Sequence, residues 1–413
     1  MGEDSESEWL EISGLAVGGE GVARETSGRV LFVRGAVPGD RVRVRITQAH
    51  KRFARAEIAE LVAASPQRVL PRCAVHAVCG GCGWQQIAYP AQLRAKREIL
   101  RDALVRGAGV SVDSLAEPVD VAPSPEPYAT RSRARLLLRG GRVGYRRGRS
   151  HELVATSACP MLVPPLEAAH AQLAASAPRG EGELELACGE RGEVSVSGAR
   201  AGFEERAIAL ATPGGEISIS PGGFFQAHAT LRRALAEAVL AHAGRGERAL
   251  ELHAGSGFFT LGLAAQFAAL IAVESAPRAV SDLRANLTRG GRANVRVLGS
   301  RAARALADPE VVRFAPEVVV LDPPRVGLGE SEAAALARLG ARRIVYVSCD
   351  PATLARDLRV LLASGYALSR CMGFDLFPQT PHVEALAVLH ADTAWPNGVR
   401  PRLASARAGA APR

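Results

Sequence analysis

No apolar run in the 413-residue chain approaches the roughly 20 residues that a membrane-spanning helix needs, so an integral membrane helix is excluded. The N-terminus is polar and acidic and shows no signal-peptide pattern, which leads us to expect a soluble, cytoplasmic protein. The chain has seven cysteines, an odd number, and without a secretion signal these argue against a disulfide framework. There is no internal repeat at solenoid periods. Lysine is nearly absent: Lys51 and Lys96 are the only two, and arginine supplies every other basic residue. Genome composition alone can produce that bias.

What is present is a net charge of +9, and its placement is uneven. Between Arg29 and Arg55 there are eight basic residues and one acid, Asp40; between Arg131 and Arg149 there are eight arginines and no acid. Clusters of this kind suit a polyanionic partner. From Trp9 to Leu61 the pattern is one of short strands and glycine turns, Gly18-Gly19-Glu20-Gly21 among them. Arg41-Val42-Arg43-Val44-Arg45-Ile46 alternates strictly, valine on one face and arginine on the other. A small OB-like β-barrel with a basic face is expected over residues 1–65, and it resembles the TRAM domain, an RNA-binding barrel.

Residues 66–205 read as a β-rich central domain. Cys73, Cys79 and Cys82 form a C-x5-C-x2-C run with Gly80-Gly81 inside it, and three soft thiolates so spaced select zinc or an iron–sulfur cluster. A tetrahedral site needs a fourth ligand. Cys159, followed by Pro160, is the candidate, with His76 the alternative; spacing does not choose between zinc and iron.

Over 206–396 the pattern turns to βαβ alternation, the mark of an open parallel sheet. A strand to Leu252 leads into His253-Ala254-Gly255-Ser256-Gly257, and the next strand ends at Glu274. A glycine turn lets a ligand approach the backbone, and an acid at the second strand tip can accept from ribose hydroxyls. Phe259 and Thr260 stand where a third glycine would come, which disfavours NAD and leaves S-adenosylmethionine or another dinucleotide. A later strand ends at Asp322-Pro323-Pro324-Arg325, another at Ser348-Cys349, and Glu384 opens the last. A thiolate that adds to C6 of uracil makes C5 enolate-like, able to take a methyl group, and a base must then remove the C5 proton. One cysteine and carboxylates at one sheet edge suit that reaction.

Val347-Ser348-Cys349-Asp350-Pro351-Ala352-Thr353-Leu354, with Asp322-Pro-Pro-Arg325 and His382-x-Glu384, resembles the RNA uracil-5-methyltransferase family. The resemblance implies a Rossmann-like class I methyltransferase domain, with Cys349 as nucleophile, Glu384 as base and Asp322 contacting target base and donor. It further implies that Gln226, His253, Gly255, Gly257 and Glu274 bind S-adenosylmethionine, and that Cys73, Cys79, Cys82 and Cys159 hold a [4Fe–4S] cluster. Barrel and cluster together mark the rRNA-type enzymes, so 23S rRNA is the expected substrate and a monomer the expected state. The same chemistry on tRNA and a non-catalytic RNA-binding or chaperone module are the alternatives; binding of S-adenosylmethionine separates the last from the rest. Asp350 stands where the family has asparagine, and His253 where it has an aromatic residue. The Arg/Ala/Pro-rich tail 397–413 is expected to be disordered.

Overall fold

The computed structural model describes residues 9–198 and 205–391; the tail 397–413 lies outside them. Six strands make the first sheet: β1 (Leu10–Glu11), β2 (Gly14–Leu15), β3 (Gly21–Arg24), β4 (Val30–Arg34), β5 (Arg41–Ala49) and β6 (Phe53–Ala63). Their order is β1-β5-β6-β4-β3-β2, around a core that includes Ile12, Leu31, Val33, Val42 and Ala54. β5 alternates at its start as the sequence implies, with Val42 buried between outward Arg41 and Arg43. The arginine face is not bare, however. Arg43 pairs with Glu60 and Arg45 with Glu57, both from the antiparallel neighbour β6. Asp40, fully buried, accepts from the backbone of Val37 and Ser65 and from Arg68, which ties the barrel to its linker.

The cysteine loop leads into α1 (Tyr89–Asp102), and here the fold departs from the sequence reading. Leu100, Leu104, Val110, Val112 and Val119 pack into the core of the C-terminal domain. β7 (Val121–Ala122) then adds a parallel edge strand beside residues 366–374. Residues 66–205 are therefore not one packing unit, because residues 100–119 bury apolar side chains in the C-terminal core, while Ala91, Ala95 and Ile99 of α1 pack with Val37, Trp84 and Ile87. A two-residue strand in a proline-rich connector has no periodicity to reveal it.

The central sheet comprises β8 (Arg133–Arg139), β9 (Arg142–Arg146), β10 (Leu153–Ala155), β11 (Gly182–Cys188) and β12 (Val194–Gly198), ordered β10-β9-β8-β11-β12. α2 (Pro164–Ala175) covers it through Leu166 and Leu173, against Leu136, Leu138, Leu184 and Leu186. The arginine run here also meets acids of β11: Arg133 pairs with Glu185, and Arg146 with Glu183.

The hairpin β13 (Ile208–Thr212) and β14 (Gly215–Ile219) precedes α3 (Leu231–Ala243). The alternation that follows is β15 (Gly246–Leu252), α4 (Thr260–Gln266), β16 (Phe267–Glu274), α5 (Pro277–Arg289), β17 (Val295–Gly299), α6 (Ala302–Leu306), α7 (Pro309–Phe314) and β18 (Val318–Leu321). It ends with α8 (Glu330–Arg338), β19 (Arg343–Ser348), α9 (Pro351–Ala363), β20 (Tyr366–Phe374) and β21 (Glu384–Ala391). The sheet order is β17-β16-β15-β18-β19-β21-β20-β7. β15 through β19 run parallel, and β21 lies antiparallel between β19 and β20. The chain order reverses between β15 and β18, so their carboxyl ends open the crevice in which such sheets bind ligands. Among the described residues no helix is long and apolar enough to cross a membrane.

Candidate active site

β19 delivers Cys349 to the sheet edge. Its residues Ile344–Val347 are wholly buried, so register is set by packing on both faces. Pro351 then starts α9, and Asp350 caps it, its carboxylate accepting from the N–H groups of Ala352 (2.9 Å) and Thr353 (3.0 Å). Aspartate fills that capping role as well as asparagine would. In the antiparallel pair β19/β21, Ser348 lies opposite Ala385. Continuing that register by one residue sets position 349 across from Glu384, the first residue of β21.

Glu384 is 1% exposed, and its Oε1 has no hydrogen-bond partner. Burial, then the charge of Asp322, pushes its carboxyl well above the usual range, with Arg325 opposing. Asp322, just past β18, is raised to about 7 by burial, opposed by the amide of Gln226, whose Nε2 donates to its Oδ2 at 3.0 Å. The Cys349 thiol is pushed up to about 12 by burial and by Glu384, with Arg325 pulling down and Asp322 adding to the rise. Cys349 is thus within electrostatic reach of Glu384, Asp322 and Arg325, so these four share one environment.

The glycine turn is built as a ligand cradle. His253 has φ 61°, unusual for a residue with a side chain; Gly255 has φ 55° and Gly257 φ 102°. A Cβ on Gly255 would meet no atom within 4 Å, so space lies above it, whereas one on Gly257 would come within 3.0 Å of Leu283. Glu274 fixes the turn from the next strand tip. Its Oε2 accepts from Gly255 N (2.9 Å), while Oε1 accepts from Ser275 N and Ala276 N (both 2.7 Å). Beneath it Glu251 on β15 is fully buried, its carboxyl raised to about 8 by burial, opposed by the Thr260 hydroxyl, with the charges of Asp322 and Glu274 adding to the rise. Asp322, Glu274 and Glu384 thus lie at this sheet edge with Glu251 buried beneath them and the Arg325 guanidinium beside them.

Sequence reasoning missed the supports of this cradle. Asn286 on α5 holds Ser218 N (2.9 Å), Ser218 O (3.0 Å) and Ser256 O (2.8 Å); Asp282 holds Ser220 N and Oγ. Two buried polar residues four apart on an amphipathic helix were the available signal. Phe224 was missed as well. It is 65% exposed next to the Gln226 segment, with Arg133 5.1 Å over its ring.

Cys73, Cys79, Cys82 and Cys159, drawn from two distant segments, line one small cavity with Arg131 and Tyr145. Burial raises the Cys79 thiol to about 11, and the other three cysteines push it the same way. His76 turns its Nε2 to Gln86 Oε1 at 3.0 Å instead. Among the described residues no three His, Cys, Asp or Glu side chains converge as a single-ion site. A groove of about 960 Å³ runs from Glu20 and Arg34 of the barrel past Cys79 and Cys82 to Thr380, Pro381 and His382.

Comparison with known proteins matches residues 218–392 to the tRNA (Uracil-5-)-methyltransferase family and residues 10–59 to the TRAM domain. A 23S rRNA (uracil(1939)-C(5))-methyltransferase RlmD of Pseudomonas entomophila is 34% identical, over 92% of this chain and 93% of its own length. An uncharacterized RNA methyltransferase of Streptomyces avermitilis is 33% identical, over 94% of this chain and 98% of its own. The Pyrococcus abyssi tRNA (uracil-54, C5)-methyltransferase, solved with S-adenosyl-L-homocysteine, superposes with a TM-score of 0.73 at 24% identity. It covers 92% of this chain and 100% of that one, a likeness of fold.

Proposed function

Because the chain belongs to the RNA uracil-5-methyltransferase family, an S-adenosylmethionine-dependent group with a class I fold and here a TRAM domain, we propose that it forms 5-methyluridine in 23S rRNA through a covalent Cys349 adduct. The observation that carries this reading is the register that sets residue 349 across from Glu384, with Asp322 and Arg325 in the same electrostatic environment. S-adenosylmethionine supplies an electrophilic methyl group. Open space above Gly255 and the fixed turn 253–257 suit its nucleoside.

The Cys349 thiolate forms a bond to C6 of uracil, and the electron pair of the C5=C6 double bond moves to C5 and the O4 carbonyl. C5 then takes the methyl group, and the methyl–sulfur bond breaks with its electrons going to sulfur, which would leave S-adenosylhomocysteine. Glu384 removes the C5 proton, the C5–H pair restores the double bond, and the S–C6 bond breaks with its electrons returning to sulfur. Arg325 opposes the negative charge on thiolate and carboxylate, and Asp322, held by Gln226, faces the base. The target nucleotide must leave its stack to reach this depth, so unpaired or distorted RNA is the substrate form. The groove from barrel to His382 offers the path for the strand. An rRNA substrate puts the work in the cytoplasm.

Cys73, Cys79, Cys82 and Cys159 line one cavity, and four thiols suit an iron–sulfur cluster or zinc; Pro160 directly after Cys159 and the family resemblance favour the cluster. Its role is to hold residues 73–82 against the segment around Cys159; no electron transfer is needed by the reaction. The test is methyl transfer from labelled S-adenosylmethionine to unmodified rRNA. Cys349→Ala should abolish product and leave RNA affinity unchanged, whereas product formed at the unaltered rate would remove the mechanism.

A further inference from the structure

Glu384 is the base in this reading, yet the nine residues before it leave the sheet. Phe374 and Glu384 are paired across β20 and β21, and residues 375–383 form an excursion between them. What holds that excursion comes from α1, almost three hundred residues earlier in the chain. Lys96 Nζ donates to Asp375 Oδ1 (2.5 Å) and to the carbonyl of Phe377 (2.9 Å), and the Lys96 and Asp375 side chains have no solvent exposure. Gln92 Oε1 accepts from Gln379 N (3.0 Å), and its Nε2 donates to Gln379 Oε1 (2.9 Å). Gln379 O accepts from Trp84 N (3.0 Å), and Gln379 Nε2 donates to Pro127 O (3.2 Å). Every polar group of Gln379 is thus engaged, while its backbone sits at φ 67°. A side-chain-bearing residue holds that conformation only where its surroundings over-determine it.

The clamp reaches further. Trp84 Nε1 donates to Gly19 O of the barrel at 2.9 Å, and a Cβ on Gly19 would come within 2.9 Å of Pro381. Barrel, cysteine loop and excursion meet at this point.

We propose that Gln92 and Lys96 are positioning residues for the proton-abstraction step: through Gln379 and Asp375 they fix the excursion and so hold the Glu384 carboxylate against C5 of the adduct. This rests on the covalent mechanism above. The step they serve begins when Glu384 takes the C5 proton. The freed pair forms the C5=C6 bond and the S–C6 bond breaks toward sulfur. Neither residue touches the nucleophile, which is delivered by β19. Their loss should therefore leave adduct formation alone and slow its resolution.

The experiment follows covalent protein–RNA complex and methylated product together in single turnovers of the full chain with S-adenosylmethionine and unmodified rRNA. Two proteins are compared with the unaltered one: Gln92→Leu, and the double variant Lys96→Met/Asp375→Leu. The double variant replaces the buried pair with apolar side chains and so avoids leaving a lone buried charge. In both, adduct should form at close to the native rate and resolve about tenfold to a hundredfold more slowly, so that it accumulates. Resolution at the native rate in both overturns the clamp. Formation and resolution falling in equal proportion also overturns it, since that is general damage to the fold. An unaltered chain that makes product without any adduct instead defeats the covalent reading on which the clamp stands.

Discussion

Alkylation of Cys349 by iodoacetamide should keep rising through about pH 10, where an ordinary thiol would already have levelled off. Burial and the charges of Glu384 and Asp322 push this thiol up to about 12. At neutral pH the thiolate is therefore much scarcer than in a free cysteine. Arg325 is the group that pulls the other way. One charge acting through an effective dielectric of about 20 is worth about 1–2 kcal/mol, so Arg325→Met should slow alkylation roughly five- to thirtyfold at each pH below the thiol's own. Asp322→Asn should speed it, because a like charge has been removed. S-adenosylmethionine carries a positive sulfur that S-adenosylhomocysteine lacks in nearly the same shape. The first should therefore accelerate the reaction relative to the second. The assay is quantitative mass spectrometry of the peptide containing Cys349 across pH. A midpoint near 8.5, or faster alkylation in Arg325→Met, would refute the electrostatic argument.

Three further outcomes are expected. Glu384→Gln removes the proton acceptor and should slow product release by about 10²–10⁴-fold while covalent complex accumulates on denaturing gels; turnover at the native rate would contradict this. Lys96→Met alone leaves Asp375 buried without its partner and should cost about 3–5 kcal/mol in urea unfolding, whereas a loss below about 1 kcal/mol would show that the pair matters little. Anaerobically purified protein should show visible iron–sulfur absorbance that Cys159→Ser loses; a colourless, zinc-loaded native sample would replace the cluster with zinc.

The C-terminal sheet was legible because parallel strands buried on both faces read as short apolar runs, and each strand ended at a residue with chemistry: Leu252 before His253, Glu274, Leu321 before Asp322, Ser348 before Cys349. A shared sheet edge for 349 and 384 was legible from the strand ends, but the antiparallel insertion of β21 between β19 and β20 that brings them there was not. Charge was the most misleading signal. Arg43, Arg45, Arg133 and Arg146 stand in acid-poor runs, but their acids, Glu60, Glu57, Glu185 and Glu183, come from other strands. The exposed pairs of Arg43, Arg45 and Arg146 add little stability, and all four pairs reduce the basic field the sequence suggested. The supports of the site were hidden for the same reason. Asp282, Asn286, Gln92 and Lys96 do their holding across long sequence separations, and no local spacing encodes the partner.

The covalent bond itself is the most direct test. RNA carrying 5-fluorouridine in place of uridine, incubated with the full chain and S-adenosylmethionine, gives C5 a substituent that Glu384 cannot remove as a proton, so the adduct should persist. Digestion and mass spectrometry should then find a methylated fluoropyrimidine nucleotide on the peptide that contains Cys349. Attachment at any other cysteine, or methylation of ordinary RNA with no trapped adduct from the fluorinated one, would contradict the account.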